Sequence, residues 1–446
     1  MKMKVTPSGP LTGSVALPGD KSISHRAILF SALAEGTSRI KGILVAGVTE
    51  SMLTALQGLG VEWDLKGRDL AVHGRGLSGL EAPSEPLNCG NSATTMRLLA
   101  GACAAAGIPV VLDGSESLRA RPMARIVKPL WEMGVPIKAL GEGGTAPLQI
   151  AMLLRGHSLQ GLDYHSPVAS AQVKSCLLLA GLAAEGPIRY TEPSPSRDHT
   201  ERMFSDMGVG IQRKVREDGS VQVAMEPMQK RRIHPLAIAV PGDISSAAFL
   251  IVAALITPGS DILLRGVGLN PTRTGMLDAL QEMGARIEIR GLRQAHGEPV
   301  GDLRVRHSSL QGIQLGDPLV VRMIDELPVF AVAAACAEGE TTVKDAGELR
   351  LKETDRISAL REELRKLGVG IEEREEGFTI QGGAPLMGGR VGAHGDHRMA
   401  MALAVAGLNA EKPIEIEGAE MVEESFPGFG RTLKSLGGDV VMEGEP

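Results

Sequence analysis

The sequence predicts an α/β protein of two or three domains, built from one strand–helix–strand–helix–strand unit used six times. Three observations carry this. A helix that ends in an apolar residue, a glycine and then a strand recurs six times. A second helix, rich in Ala and Leu, also recurs six times, and each copy is followed by a short strand. These second helices are apolar nearly all round, which places them inside their domains.

The glycine steps are "TALQGLGVEW", "PLWEMGVPI", "MFSDMGVGI", "MLDALQEMGARIEI", "ELRKLGVGIEE" and "TLKSLGGDV". Their glycines are Gly60, Gly134, Gly208, Gly284, Gly368 and Gly437, at spacings of 74, 74, 76, 84 and 69 residues. Glycine at that point is the usual left-handed helix stop before a strand. The apolar helices lie in "HRAILFSALAEGTSRI", "ATTMRLLAGACAAAGIPVVL", "SAQVKSCLLLAGLAAEGPIRY", "SSAAFLIVAALITPGSDILL", "ELPVFAVAAACAEGETTV" and "DHRMAMALAVAGLNAEKPIEI".

Composition narrows the function. The chain has 446 residues and a net charge of -6, which argues against a general nucleic-acid-binding surface. Aromatics are 2%, too few for base-stacking platforms. The longest apolar runs, such as "AAFLIVAALI", are too short to span a bilayer. "MKMKVTPSGP" has neither a signal core nor a transit pattern, so a cytoplasmic protein without a membrane partner is expected. Cys89, Cys103, Cys176 and Cys336 are scattered and form no C-x-x-C pair, which points to buried reduced thiols.

What precedes each apolar helix is more informative. The segments are "GDKSISHR", "NCGNSATTMR", "SPVASAQ", "PGDISS", "RMIDELP" and "HGDHR". One Ser or Asp per helix would suffice as a cap. Lys21, Arg26, Arg97 and Arg398 exceed that need, and cations at a helix N-terminus oppose the helix dipole unless an anion sits between them. The pattern therefore predicts helix N-termini converging on an anionic ligand. For "LPGDKSISHR" alone, a capped surface helix with solvated charges reads equally well. It is not a nucleotide-binding phosphate loop, because Asp20 and Val15 occupy the glycine positions.

Further clusters fit the same reading. "LRARPM" offers Arg119 and Arg121, and "SRDHTERM" offers Ser196, Arg197 and His199. "LKETDRI" sets Lys352 and Arg356 four apart with Glu353 beside them, a spacing that an exposed ion-pair ladder also explains. Asp325 and Glu326 lie among apolar residues, where a carboxylate serves as a helix cap or as a catalytic group. "GRGLSG" matches G-x-G-x-x-G but opens no helix, and "HGDH" lacks a third metal ligand at recognisable spacing. No metal and no cofactor are expected.

With these residues in hand, the whole chain resembles the EPSP synthase family. The motifs that carry the resemblance, in order, are "LPGDKSISHR", "GNSATTMRLLAG", "RARPM", "SAQVKS", "NPTRTG", "ELRLKETDRI" and "HGDHRMAMA". The resemblance implies a two-domain inside-out α/β barrel of six β-α-β-α-β-β-like units. The implied domains are residues 1–20 with 243–446, and residues 21–242, with substrates in the cleft that they close. It implies transfer of the enolpyruvyl group of phosphoenolpyruvate to the 5-hydroxyl of shikimate 3-phosphate, through a tetrahedral ketal, by a monomer without metal.

Site residues follow from the same resemblance. Lys21, Ser22, Arg26, Ser170, Ala171, Gln172, Arg197, Asp325 and Lys352 match positions that bind shikimate 3-phosphate. Lys21, Asn91, Ala93, Arg121, Gln172, Glu353, Arg356 and Arg398 match positions around phosphoenolpyruvate. Asp325, Glu353 and Lys21 match the groups that move protons.

Two positions depart from the family pattern. Glu424 stands where many members carry Lys before "[ST]-F-P". Ala93 stands in "GNSATT" where glyphosate-sensitive members carry Gly, and its methyl should crowd glyphosate more than phosphoenolpyruvate. Two other readings compete. Carboxyvinyl transfer to UDP-N-acetylglucosamine calls for a loop cysteine near the "RP" motif, and "LRARPM" has none nearby. A non-catalytic phosphometabolite binder would have lost its carboxylates, whereas Asp325 and Glu353 are present.

Overall fold

The structure is a computed structural model, and it describes residues 1–154, 156–228 and 232–444. The chain divides into two compact units. One comprises Met1–Pro18, Pro241–Gln294 and Pro299–Pro446, and the other Gly19–Val240 with Ala295–Glu298. The expected boundaries at 20 and 242 thus fall two residues earlier, and residues 295–298 group with the 19–240 unit. There Glu298 Oε1 lies 2.7 Å from His199 Nδ1.

Each unit carries three four-stranded sheets, six in all among the described residues. All follow one plan: two parallel strands, then a strand antiparallel to the second, then an edge strand that is its hairpin partner in five sheets; in the sixth, Lys2–Thr6 pairs with Asp439–Glu443. In the 19–240 unit the first sheet runs Ala237–Ala239, Glu35–Lys41, Asp69–Arg75, Glu62–Lys66. The pairing is parallel for the first two strands and antiparallel for the rest. The strand after each glycine step is that edge strand. The six glycines all have positive φ, from 78° at Gly60 to 108° at Gly437, which only Gly adopts without strain.

Two strands are exchanged relative to chain order. Thr12–Ala16 precedes the helix Lys21–Leu33, yet it pairs with Asp261–Gly268 of its own unit. Ala237–Ala239 precedes the helix Ile244–Ile256, yet it pairs with Glu35–Lys41. A Pro-Gly-Asp turn follows each of them, at 18–20 and at 241–243. Proline and glycine end a strand there and aspartate starts the next helix.

The six apolar helices form the interior: Lys21–Leu33, Ala93–Ala106 and Ala171–Gly181 in one unit, Ile244–Ile256, Leu327–Cys336 and His397–Gly407 in the other. All residues of Ile244–Ile256 and of His397–Gly407 are buried. Each large apolar side chain so buried contributes about 1.5–3 kcal/mol. Small residues let the helices close up: a Cβ at Gly101 would meet the Cys176 carbonyl oxygen of the neighbouring helix at 2.2 Å. No described helix is long and apolar enough to cross a membrane. The four cysteines are free, and burial pushes the thiols of Cys103 and Cys176 up to about 12 and that of Cys336 to about 11.

Candidate active site

In the 19–240 unit, the first turns of the three inner helices are tied to one another. Asp20, Ser92 and Ser170 cap them, accepting from the backbone N–H of Ile23, Thr95 and Val173. His25 of the first helix reaches Ser92 of the second, with Nε2 3.3 Å from the hydroxyl. Arg97 of the second donates to Gln172 of the third, and Gln172 Nε2 donates to Thr94 Oγ1 at 2.9 Å. Arg26 of the first donates to Ser175 Oγ of the third at 2.8 Å. The three N-termini therefore form one triangle.

Most candidate residues of this unit lie on or beside the triangle. Lys21 and Ser22 open the first helix and are half-buried. Arg197 NH1 donates to Ser22 Oγ at 3.4 Å, which brings "SRDHTERM" to the first helix. Ser170, Ala171 and Gln172 form the start of the third helix. Ala93 opens the second helix and is buried, while Asn91 accepts from Ser115 Oγ at 3.0 Å. Arg121 is half-buried next to Pro122, whose carbonyl accepts from Arg97 NH2 at 3.0 Å.

Several polar groups of the sequence motifs also bond within the protein. Arg26 is 2% exposed and spends its guanidinium on Thr200 Oγ1 at 2.8 Å, the Ser22 carbonyl at 3.0 Å and Ser175. Arg119 pairs at the surface with Asp113, through Nε at 2.8 Å. Ser196 donates to Glu192 at 2.6 Å. The excess of donors at these helix starts thus has two uses, and one is to clamp the helices together.

His25 shows how tightly. Burial, aided by the charges of Lys21 and Arg26, lowers its pKa from 6.5 to about 4. The ring is neutral at pH 7; Nδ1 lies 2.7 Å from the Lys21 carbonyl and Nε2 3.1 Å from the Val48 carbonyl, and the single N–H serves one of the two. A histidine whose folded pKa is depressed lends stability above its unfolded value, and that stability drains as pH falls from 6.5 towards 4. The loss is on the order of 3 kcal/mol. In thermal melts the advantage of the native protein over His25→Asn should therefore shrink between pH 7 and pH 4; a constant difference would contradict the neutral ring.

In the other unit the chemistry gathers around Asp325, just before the helix Leu327–Cys336. Lys352 Nζ and Arg356 NH1 each lie 3.4 Å from its carboxylate, and Arg398 NH2 lies 3.8 Å from it. Arg398 NH1 also donates to the Asp325 carbonyl at 3.0 Å. Arg356 NH2 donates to Glu353 at 2.8 Å and its Nε donates to Asp396 at 2.7 Å. Burial alone would lower the Arg356 pKa, but Asp396, Glu353 and Asp325 outweigh it and hold the guanidinium above its ordinary range. "LKETDRI" is accordingly no exposed ladder: Arg356 is 1% exposed and begins the helix Arg356–Lys366. Asp325 and Glu353, with two arginines and a lysine, make a setting for proton transfer beside an anion.

The chain matches the EPSP synthase (3-phosphoshikimate 1-carboxyvinyltransferase) family over residues 5–433. It belongs to that family. A protein of Halorhodospira halophila named 3-phosphoshikimate 1-carboxyvinyltransferase is 50% identical over 444 residues, 99% of this chain and 97% of the relative. One of the same name from Desulforamulus reducens is 47% identical over 438 residues, 98% of this chain and 99% of the relative. The structure of an EPSP synthase from Acinetobacter baumannii superposes with a TM-score of 0.86 at 41% identity, covering 99% of this chain and 100% of that one. An enolpyruvyl transferase from Streptomyces tendae shares the fold, with a TM-score of 0.79 at 17% identity.

Within this family member, several supporting residues escaped the sequence reading. Asp396 caps the helix His397–Gly407 by accepting from Arg398 N at 2.8 Å and also grips Arg356. Lys174, 0% exposed, lies 2.9 Å from Glu192 and 2.8 Å from Glu201 and so anchors the segment that carries Arg197. Arg97 was legible as a surplus cation, but not as the partner of Gln172. His394 of "HGDH" lies 2.5 Å from Glu363, whose carboxylate also takes the Lys366 ammonium at 2.8 Å.

Proposed function

We propose that this chain transfers the enolpyruvyl group of phosphoenolpyruvate to the 5-hydroxyl of shikimate 3-phosphate, giving 5-enolpyruvylshikimate 3-phosphate and phosphate. The observation that carries this is the grouping of Asp325 and Glu353 with Lys352, Arg356 and Arg398, in a chain of the EPSP synthase family. Asp325 takes the proton of the 5-hydroxyl as its oxygen attacks C2 of phosphoenolpyruvate. Glu353, with Lys21, delivers a proton to the methylene carbon, which becomes a methyl group in a tetrahedral ketal. Loss of phosphate and return of one methyl proton give the new vinyl ether.

Shikimate 3-phosphate is assigned to Lys21, Ser22, Arg26, Ser170, Ala171, Gln172, Arg197, Asp325 and Lys352. Phosphoenolpyruvate is assigned to Lys21, Asn91, Ala93, Arg121, Gln172, Glu353, Arg356 and Arg398. Both substrates are multiply anionic, and arginine forks suit carboxylate and phosphate oxygens. The enzyme works as a cytoplasmic monomer. Phosphate release from phosphoenolpyruvate tests the assignment. It should require shikimate 3-phosphate, and release only with UDP-N-acetylglucosamine would overturn it.

The same reading puts the chain with the glyphosate-tolerant members. Ala93 supports it, as the buried first residue of the helix Ala93–Ala106, whose start is assigned above to phosphoenolpyruvate. One methyl in a tight site discriminates by about 10- to 100-fold. Ala93→Gly should therefore lower the inhibitory glyphosate concentration by about that factor, with a much smaller change in KM for phosphoenolpyruvate. Equal inhibition of both forms would sink the assignment.

A further inference from the structure

The carboxylate of Glu326 takes no part in the proposed reaction, although it is 0% exposed. It occupies the position before the helix Leu327–Cys336 where a carboxylate ordinarily caps, yet its side chain makes no capping bond. Instead Oε1 accepts from Ser245 Oγ and lies 3.7 Å from Arg398 NH1. The other oxygen, Oε2, has no hydrogen-bond partner among the described residues. Burying a carboxylate with one oxygen unbonded is unfavourable unless a charge nearby offsets it.

Ser245 extends the arrangement. Its Oγ also accepts from Arg273 NH2 at 2.6 Å, and that nitrogen is 3.4 Å from Asp243 Oδ1. Asp243 in turn caps the helix Ile244–Ile256, accepting from Ser245 N at 2.8 Å. A continuous buried row of polar groups therefore runs from the second Pro-Gly-Asp turn through Arg273, Ser245 and Glu326 to Arg398.

Arg398 is drawn two ways. NH1 is held by the Asp325 carbonyl and by Glu326, while NH2 stands 3.8 Å from the Asp325 carboxylate. Without the negative charge of Glu326, the nearest anion for this guanidinium is Asp325 itself. We propose that Glu326 is a positioning residue. It restrains Arg398 from closing onto Asp325, and so keeps Arg398 available to phosphoenolpyruvate and the Asp325 carboxylate available to the substrate hydroxyl. This rests on the assignment of Arg398 as a phosphoenolpyruvate ligand, and Glu326 itself touches no substrate.

The test is a double-mutant cycle on the full-length chain, read by steady-state kinetics with each substrate varied. Glu326→Gln keeps the shape and still accepts from Ser245, but it carries no charge. It should raise KM for phosphoenolpyruvate about tenfold and leave KM for shikimate 3-phosphate within about twofold, with an unchanged melting temperature. Arg398→Ala should raise KM for phosphoenolpyruvate on its own, and in that background Glu326→Gln should add nothing. Ser245→Ala, which leaves the charge but removes its hydrogen bond, should shift the same KM in the same direction by less. If Arg398→Ala leaves that KM unchanged, the ligand assignment fails and takes this proposal with it. If Arg398→Ala raises it but Glu326→Gln does not, or acts equally on both substrates, or persists without Arg398, the positioning role alone is overturned. Should Glu326→Gln fold poorly, a normal phosphoenolpyruvate KM in Ser245→Ala would also overturn it.

Discussion

Asp325→Asn is expected to lower kcat by about three orders of magnitude, within the range that a positioned general base supplies. Asn has the shape of Asp but cannot take the proton of the 5-hydroxyl. The fold should tolerate the change. Arg356 keeps its bonds to Glu353 and Asp396, and Arg398 keeps the Asp325 carbonyl. KM for shikimate 3-phosphate should move by less than kcat, because the interaction lost is the one made in the transition state. Steady-state kinetics with a thermal melt checks this. A fall in kcat of less than about tenfold in a folded variant would mean that another group is the base.

The largest stability effect is expected at Lys174. Its ammonium is wholly buried between Glu192 and Glu201, and these carboxylates hold its pKa above the usual lysine value although burial alone would lower it. Lys174→Met would fill the same space and strand two buried carboxylates. Breaking a buried ion pair on one side costs about 3–5 kcal/mol. For a unit of this size that corresponds to a melting temperature lower by roughly 10 °C. Glu192 also accepts from Ser196 N at 3.1 Å, so the segment bearing Arg197 should loosen with it. A melting temperature within about 2 °C of the native protein would show that the triad is not structural.

The six-fold repeat was legible because its signals are local. A glycine that must take positive φ, and a helix apolar on every side, are visible in a dozen residues, and all six copies of each occur where the sequence puts them. The exchange of Thr12–Ala16 and Ala237–Ala239 between sheets was not readable from those residues, because strands so short carry no mark of their partner. It entered only through the family resemblance.

The site was legible by residue type and less so by role. Lys352, Glu353, Arg356, Asp325 and Arg398 were all singled out, and the structure groups them. Arg26 read as a ligand group or a solvated charge, and it is also buried and bonded to a neighbouring helix, as is His25, which no local pattern marked. Glu326, Asp396 and Lys174 act through partners 40 residues or fewer away for some contacts and 72–81 for others, and no local pattern announces such pairs. A polar residue beside an apolar helix announces a buried interaction, but not whether its partner is a substrate or another helix.

The proposed reaction moves a proton to and from the methylene carbon during enolpyruvyl transfer. Its most direct test is turnover in D2O, with the vinyl group of the isolated product examined by mass spectrometry and NMR. Protonation to a transient methyl followed by loss of one of its hydrogens predicts deuterium in the product's methylene, and a slower exchange with Glu353→Gln. A product free of deuterium would contradict these proton transfers.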